Sequence, residues 1–322
     1  MPDNMLFADS LDLNALPAQA WRFTTQHWLL WIFVAAALHA HFRGRVRFGL
    51  LRALTDFTVL FAPFNSLMVL FSRVGTQPYI DPQLFPDLAP LKEHWHEMRE
   101  EALKLNDEGH IRAATGYNDL GFNSFFRTGW KRFYLKWYGQ DLASAQALCP
   151  RTVELLRGIP SVKAAMFASL PPGARLVKHR DPYAGSLRYH LGLITPNDPG
   201  CYIEVDGQRR HWRDGEVLMF DETYIHHAEN TTPQQRVILF CDIERPLHGR
   251  VLRWINHAFA RVVMQAAATQ NMEGEPVGAI NKFFYYAYQV RLKGKALKAS
   301  HRGVYYAGKW LLIGGAVYLI LR

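Results

Sequence analysis

The rhythm of hydrophobic and polar positions changes twice along the chain. Near the N-terminus it is an apolar run: from Phe23 to Phe42 there is no Lys, Arg, Asp or Glu, and the centre reads "WLLWIFVAAAL". About 20 such residues suffice for a helix to cross a hydrocarbon layer roughly 30 Å thick, so 23–42 is expected to be a transmembrane helix. Trp28 and Trp31 suit its interfacial end, whereas His27, His39 and His41 narrow its strictly apolar part. A buried core helix is the plain alternative. A signal peptide fits badly, since no basic stretch precedes the run and no small-residue cleavage site follows it. At the far end, "GVYYAGKWLLIGGAVYLIL" (303–321) is interrupted only by Lys309 and is expected to cross or embed in a membrane. Its unbroken part from Trp310 to Leu321 is only 12 residues, so a re-entrant or surface-lying helix stays open.

Between these runs the pattern shortens. "DFTVLFAPFNSLMVLFS" is apolar but holds Asp56, Pro63 and Asn65, which favours a helix or broken helix lying on a bilayer over a third crossing. The prolines of "TQPYIDPQLFPDLAP" lead into a helix, "LKEHWHEMREEALKL". After "SAQALCPRTVELLRGIP" come short apolar runs, "VKAAMFASL", "LRYHLGLI", "CYIEV", "EVLMF" and "RVILFCDI", separated by turn signals such as "PPGA", "VDGQ" and "RDGE". That spacing predicts a mainly β domain, an antiparallel sandwich or barrel of jelly-roll type with a ligand in its mouth. "RVLRWINHAFARVVMQA" and "NKFFYYAYQVRLKGKALK" interleave apolar residues with cations: amphipathic helices that either cover a core or touch anionic lipid. The expected organisation is an N-terminal segment (1–22), a transmembrane helix (23–42), a basic membrane-associated segment (43–75) and a folded domain (76–247). That domain has a helical N-terminal part and a barrel core from about 162; amphipathic basic helices (248–302) and a membrane-embedded helix (303–321) follow it.

Composition narrows the partners. With 322 residues and 49% hydrophobic side chains the chain can bury a large core, which excludes disorder. The formal charge of +9 calls for an anionic partner. Arg43, Arg45, Arg47 and Arg52 follow the first run, and Arg291, Lys293, Lys295, Lys298 and Arg302 precede the last. The charge therefore points to a membrane rather than nucleic acid, and places both flanks on the cytoplasmic side. Cys149, Cys201 and Cys241 lack metal or redox spacing and are expected to be reduced packing thiols.

The chemistry concentrates in "KHRDPYAGSLRYHLGL". His179 and Asp181 lie two apart, as do Arg188 and His190, and such pairs share one face of an extended strand. Downstream, "GEVLMFDETYIHHAENTTPQQRVILFCDIERP" adds His226 or His227 and then Arg236, which shares its strand face with Ile238 and Phe240. Two imidazoles and one carboxylate are a facial ligand set suited to Fe(II), although His-x-Asp alone is a weak signal. An inward Arg236 in an apolar barrel needs an anion, either a bound dicarboxylate or a structural partner such as Asp221 or Glu229.

With those motifs in place, Pro171 to Pro246 resembles the aspartyl/asparaginyl β-hydroxylase family of Fe(II)- and 2-oxoglutarate-dependent dioxygenases. The resemblance rests on His179, "LRYHLGL", "GEVLMFDETYIHH" and Arg236 ten residues after His226, and it selects His226 over His227. It implies a double-stranded β-helix of cupin type and a catalytic metal set of His179, Asp181 and His226. It further implies that Arg236 pairs with the distal carboxylate of 2-oxoglutarate, that Arg188 and His190 complete the cosubstrate site, and that O2 is consumed. The animal peptide-hydroxylating branch lacks a carboxylate where Asp181 stands. Outside the barrel, "YIDPQLFPDL", "LKEHWHEMREEAL" and "GWKRFYLKWYG" are similar to the bacterial lipid A 2-hydroxylases. That similarity implies C2 hydroxylation of a secondary acyl chain of lipid A, or a related anionic glycolipid, at the cytoplasmic face of the inner membrane, with Arg127, Lys131 and Arg132 as candidate phosphate contacts. A membrane-anchored Asp/Asn peptide hydroxylase and a non-catalytic lipid-binding barrel are the competing readings.

Overall fold

Short strands fill the second half of the chain, as the turn spacing requires. A computed structural model describes residues 25–114 and 119–321, so the segment 1–22 lies outside the described residues. Its strands are β1 (Lys131–Trp137), β2 (Gln140–Asp141), β3 (Val162–Leu170), β4 (Arg175–His179), β5 (Ser186–Ile194), β6 (Cys201–Val205), β7 (Gln208–His211), β8 (Val217–Phe220), β9 (His226–Asn230) and β10 (Arg236–Glu244). They form two sheets, in the orders β2-β1-β3-β10-β5-β8 and β4-β9-β6-β7, with every pairing between strands antiparallel. From β3 onward the chain passes repeatedly from one sheet to the other, which is the winding of a jelly roll.

Residue type explains each strand's place. β10, "RVILFCDIE", is rich in β-branched and aromatic residues, is buried along most of its length, and sits between β3 and β5 at the centre of its sheet. β7, "QRRH", is short, charged and mostly exposed, the character of a sheet edge protected against further pairing. Of the strands not anticipated, β2, β4, β7 and β9 are polar or very short and lack the apolar run that marks a central strand, whereas β1 buries Phe133, Tyr134, Leu135 and Trp137 between flanking cations that mask its pattern.

Helices flank the barrel. The expected helix after the prolines is present as Ala89–Glu93 and Trp95–Asp107, broken at His94, with Met98, Ala102 and Leu105 buried. Phe57–Phe61 forms a tight turn that runs into the helix Ala62–Leu70, a broken helix as Pro63 and Asn65 suggested. This helix packs beside the helix Thr25–Phe42, where His39 Nδ1 lies 2.8 Å from Ser66 Oγ. On its other side Phe64 stacks on Phe259 of the helix Arg250–Phe259 at 4.1 Å. The three cysteines are free and buried.

The two expected membrane crossings are not obtained. Among the described residues no helix is long and apolar enough to cross a membrane. Thr25–Phe42 carries the polar Thr25, Gln26 and three histidines in 18 residues, and part of it is docked on the protein through His39; residues 23 and 24 lie outside the described residues. Arg302–Leu321 begins on Arg302 and is interrupted at Lys309.

Candidate active site

The site is built where β4 ends and β9 begins. His179 and His226 are cross-strand partners in this pairing, which places their imidazoles side by side with ring centroids 4.2 Å apart. Asp181 follows two residues later, and its Oδ1 lies 3.7 Å from His179 Nε2. The three residues predicted to share a metal therefore converge: one ligand atom from each of His179, Asp181 and His226 lies within 4.8 Å of the others. Arg180, between them, points away and donates to Asp56 Oδ2 at 3.0 Å and Thr58 Oγ1 at 2.7 Å.

Tautomer and charge are set for metal binding. His179 Nδ1 lies 2.7 Å from the Val177 carbonyl and His226 Nδ1 lies 2.9 Å from the Tyr224 carbonyl. Each Nδ1 must carry the proton to make that bond, which leaves each Nε2 with a bare lone pair. Burial lowers the pKa of both, His226 to about 3, so the imidazoles are neutral near pH 7. Burial raises the pKa of Asp181, but the Arg188 guanidinium together with the neighbouring His226 and His179 brings it below the usual carboxylate value on balance.

Arg188 stands on β5 in register with Asp242 of β10 and Phe220 of β8. Its Nη2 is 2.5 Å from Asp181 Oδ2 and also contacts Glu222, while Nη1 is 2.7 Å from Asp242 Oδ1. Ser186 donates to Glu222 and Tyr138 donates to Asp242, each closing the far side of a carboxylate. Arg188, expected beside the keto acid, donates to Asp181 and lies within ion-pair distance of Glu222 and Asp242, whose pKa values burial pushes up.

Arg236 presents the opposite environment. It is 2% exposed, lies over the Trp212 ring at 4.4 Å, and has one long bond, Nη2 to the Ala168 carbonyl at 3.4 Å. Neither structural partner considered from the sequence is used: Asp221 pairs with Arg245 at 2.9 Å and Arg43 at 3.1 Å, and Glu229 accepts from Tyr202. Burial lowers the Arg236 pKa to about 10, which leaves it cationic at neutral pH. Nearby, Trp212 Nε1 donates to His190 Nδ1 at 3.4 Å, so His190 carries its proton on Nε2. Arg236 Nε and His190 Nε2 are both buried without a hydrogen-bond partner. A buried donor left unpaired costs about 1–3 kcal/mol or more, so two of them facing one cavity fit an anion. All six expected site residues line that cavity, about 470 Å³ of empty space including its opening. The donor set thus fits a divalent iron and a dicarboxylate: a neutral imidazole pair, an ionised carboxylate and a charge-bearing anion cradle.

The aspartyl/asparaginyl beta-hydroxylase family model matches residues 92–246, which include β1 to β10. An ornithine lipid ester-linked acyl 2-hydroxylase of Rhizobium tropici is 34% identical over 203 residues, 62% of this chain and 72% of that protein. The chain belongs to the aspartyl/asparaginyl beta-hydroxylase family. It is therefore a hydroxylase of the 2-oxoglutarate type. Human aspartyl/asparaginyl beta-hydroxylase is 27% identical over 161 residues, covering 48% of this chain but only 21% of that protein. Among solved structures, a Pseudomonas putida prolyl-4-hydroxylase aligns over 48% of this chain and 87% of its own, at 18% identity and a TM-score of 0.32.

Several residues of the hydroxylase site escaped the sequence. Asp242 lies two residues beyond Phe240, so the same alternation that turned Arg236, Ile238 and Phe240 inward also turns Asp242 inward. Trp212, just past β7, carried no such signal. An aromatic lip of Phe122, Phe125 and Trp130 lines the cavity, with Phe125 4.7 Å from the His179 ring. Of the candidate phosphate contacts, Arg132 is turned inward and paired with Asp119 at 3.1 Å, because β1 buries that position; Lys131 and Arg127 are exposed.

Proposed function

We propose that the chain hydroxylates C2 of an ester-linked secondary fatty acyl chain on a membrane lipid, lipid A in particular, at the cytoplasmic face of the inner membrane. The observation that carries this reading is the apolar character of the cavity wall: Phe122, Phe125, Trp130, Leu176, Ile203 and Ile238 lead to the histidines, a lining suited to an alkyl chain. The name of the Rhizobium tropici relative, an acyl 2-hydroxylase, points the same way. A bilayer-facing region is also available. The helices beside the ligand loop expose Phe57 (64%), Leu60 (71%) and Trp254 (69%), and Trp254 follows the exposed Arg250 and Arg253. Arg52 of this region donates to the Lys178 carbonyl, next to His179, so the apolar surface adjoins the end of β4.

In this reading His179, Asp181 and His226 hold Fe(II), while Arg236 and His190 hold 2-oxoglutarate. Iron and the keto acid supply activation of O2, with succinate and CO2 as the cosubstrate's products. The protein's part is positional. Arg236 and His190 donate to carboxylate oxygens, and the Trp212 face supports the guanidinium against the wall. The aromatic lip orients the acyl chain and excludes water. Mass spectrometry of polar lipids from strains with and without the gene tests the reading. A gain of about 16 Da, one oxygen atom, on an acyl chain of lipid A is expected. The same gain on an ornithine lipid would keep the chemistry and change the headgroup. An unchanged lipid profile with hydroxylated Asp or Asn in a protein would overturn it.

A further inference from the structure

We propose that a second cleft, beside the catalytic cavity, is a site for a phosphate ester, held by Arg45 and Arg210. That the ester belongs to a lipid headgroup rests on the acyl-hydroxylase reading above; the anion chemistry does not. The cleft lies between the segment that follows the helix Thr25–Phe42 and the β6–β7 hairpin. It encloses about 740 Å³ of empty space including its opening, more than the catalytic cavity. Thr76, Gln77 and Gln208 add hydroxyl and amide donors to its arginines.

The walls are fixed before any ligand arrives. Arg43 Nη1 pairs with Asp221 at 3.1 Å and the Val46 amide donates to Asp206 Oδ1 at 2.8 Å, which pins residues 43–46 against the hairpin. The approach is so close that a Cβ at Gly44 would lie 2.7 Å from Asp206 Oδ1. Tyr79 and Tyr224 spend their hydroxyls on backbone carbonyls, those of Ile203 and Gln208 and that of Thr76, and each turns its ring to a guanidinium. Arg43 lies 3.9 Å over Tyr224 and Arg210 lies 4.3 Å over Tyr79. A guanidinium supported on an aromatic face keeps its N–H edge for an anion. The edge of Arg43 is already used, by Asp221 and Thr223. Arg45 and Arg210 are exposed and form no ion pair among the described residues. Set against Asp206, the one acidic residue of the lining, they leave the cleft an excess of positive charge. Two cations with amide and hydroxyl donors beside them match a group that offers several charged acceptor oxygens.

Position connects the cleft to a lipid. Arg210 stands opposite Ile203 in the β6–β7 register, on the sheet face that lines the catalytic cavity, and Tyr79 beneath it meets Phe220 of the cavity wall. On its other side the cleft adjoins the end of the helix Thr25–Phe42, which exposes Trp28, Trp31, Leu38 and Phe42. Exposed aromatic and apolar side chains next to arginines suit the level of lipid phosphates. A headgroup held here lies next to the cavity that takes the acyl chain, and a phosphate-free headgroup gives the cleft nothing to bind.

The test uses the full-length protein and three probes: phosphatidylcholine vesicles, the same vesicles mixed with phosphatidic acid, and glycerol phosphate without vesicles. Phosphatidic acid is expected to strengthen co-sedimentation of the wild type. Replacing both residues, Arg45→Gln with Arg210→Gln, should weaken that binding about 10–30-fold, since one arginine at an anionic lipid surface contributes about fivefold. Both side chains are exposed, so the near-ultraviolet circular dichroism spectrum should stay native. Arg209→Gln is the control: it removes the same charge from the other face of β7, where Arg209 lies over Tyr202 and 3.6 Å from Glu204, and should cost less than about threefold. An equal loss for Arg209→Gln would reduce the effect to general surface charge and overturn the proposal, as would wild-type binding by the double variant. Glycerol phosphate bound with the same dependence on Arg45 and Arg210 would uphold the phosphate site and assign it to a soluble ester; dependence seen only with vesicles would assign it to lipid. Failure of the acyl-hydroxylase reading would show separately, as an unchanged lipid profile in cells while phosphate binding by the purified protein persists.

Discussion

Two arginines face one cavity from its two ends, and they differ in almost everything except burial. Asp242, the partner of Arg188, and Arg236 are six residues apart on β10, about 20 Å of strand. At one end the cation is outnumbered by Asp181, Glu222 and Asp242; at the other it meets an aromatic face, a distant carbonyl and no carboxylate. The lesson concerns what a buried arginine implies. A guanidinium that meets carboxyl groups within the fold has its charge balanced before any ligand binds, whereas one kept cationic without a partner is suited to an anion that arrives later. A third arginine calibrates the contrast: Arg245, 1% exposed, pairs with Asp221 at 2.9 Å and serves structure.

The strongest test of the metal end is to remove a ligand. His226→Ala is expected to abolish Co(II) binding in calorimetry and turnover of 2-oxoglutarate to succinate, while the circular dichroism spectrum stays native. Persistent stoichiometric binding would mean that the convergence of His179, Asp181 and His226 has no metal function. Next in size comes the structural pair. Asp221→Asn leaves Arg245 and Arg43 without their anion and should destabilise the fold by about 3–5 kcal/mol, read by urea unfolding. Burial alone would raise the Asp221 pKa, but Arg245 and Arg43 hold it well below the usual range. A carboxyl with a depressed folded pKa contributes its stability above its unfolded pKa, about 3.9, and loses it as pH falls toward the folded value. Wild-type stability should therefore drop from pH 5 to pH 3, and the drop should shrink in Asp221→Asn. An equally steep drop in the variant would assign the acid sensitivity elsewhere.

How much of this was legible beforehand follows from which physical signals are local. The central strands were readable because β3, β5 and β10 are long apolar runs bounded by turns. β4 and β9, which carry the histidines, were hidden because β4 exposes Arg175, Val177 and Lys178 and turns only Leu176 and His179 to the cavity, while β9 is a polar strand buried at alternate positions. The two-residue spacing of His179 and Asp181 showed that they share a face; their approach to His226 depends on a strand register that no local signal encodes. Arg188 and Arg236 looked alike in the sequence, each an inward residue near a cation-hungry motif. What separates them is the set of acidic groups brought from β10 and the turn after β8, a tertiary property. The terminal runs were expected to cross or embed because they hold few charges; among the described residues no helix is long and apolar enough to cross a membrane, and histidines and Lys309 interrupt the apolar stretches.

The finest discrimination between the two ends is Arg236→Met, which keeps the volume over Trp212 and removes the charge. A charge-assisted hydrogen bond contributes about 1.5–3 kcal/mol, so the 2-oxoglutarate Kd at saturating Co(II) should rise about 10–150-fold. Co(II) affinity in the absence of keto acid should not change, because among the described residues Arg236 forms no ion pair with the metal set and donates only a long bond to the Ala168 carbonyl. The variant should also fold at least as stably as the wild type, since removing an unpartnered buried cation relieves a desolvation cost rather than breaking a pair. That last sign is the discriminating one. A loss of several kcal/mol in urea unfolding would show that Arg236 supports the scaffold as Arg245 does, and the contrast between a filled and a waiting arginine would be lost.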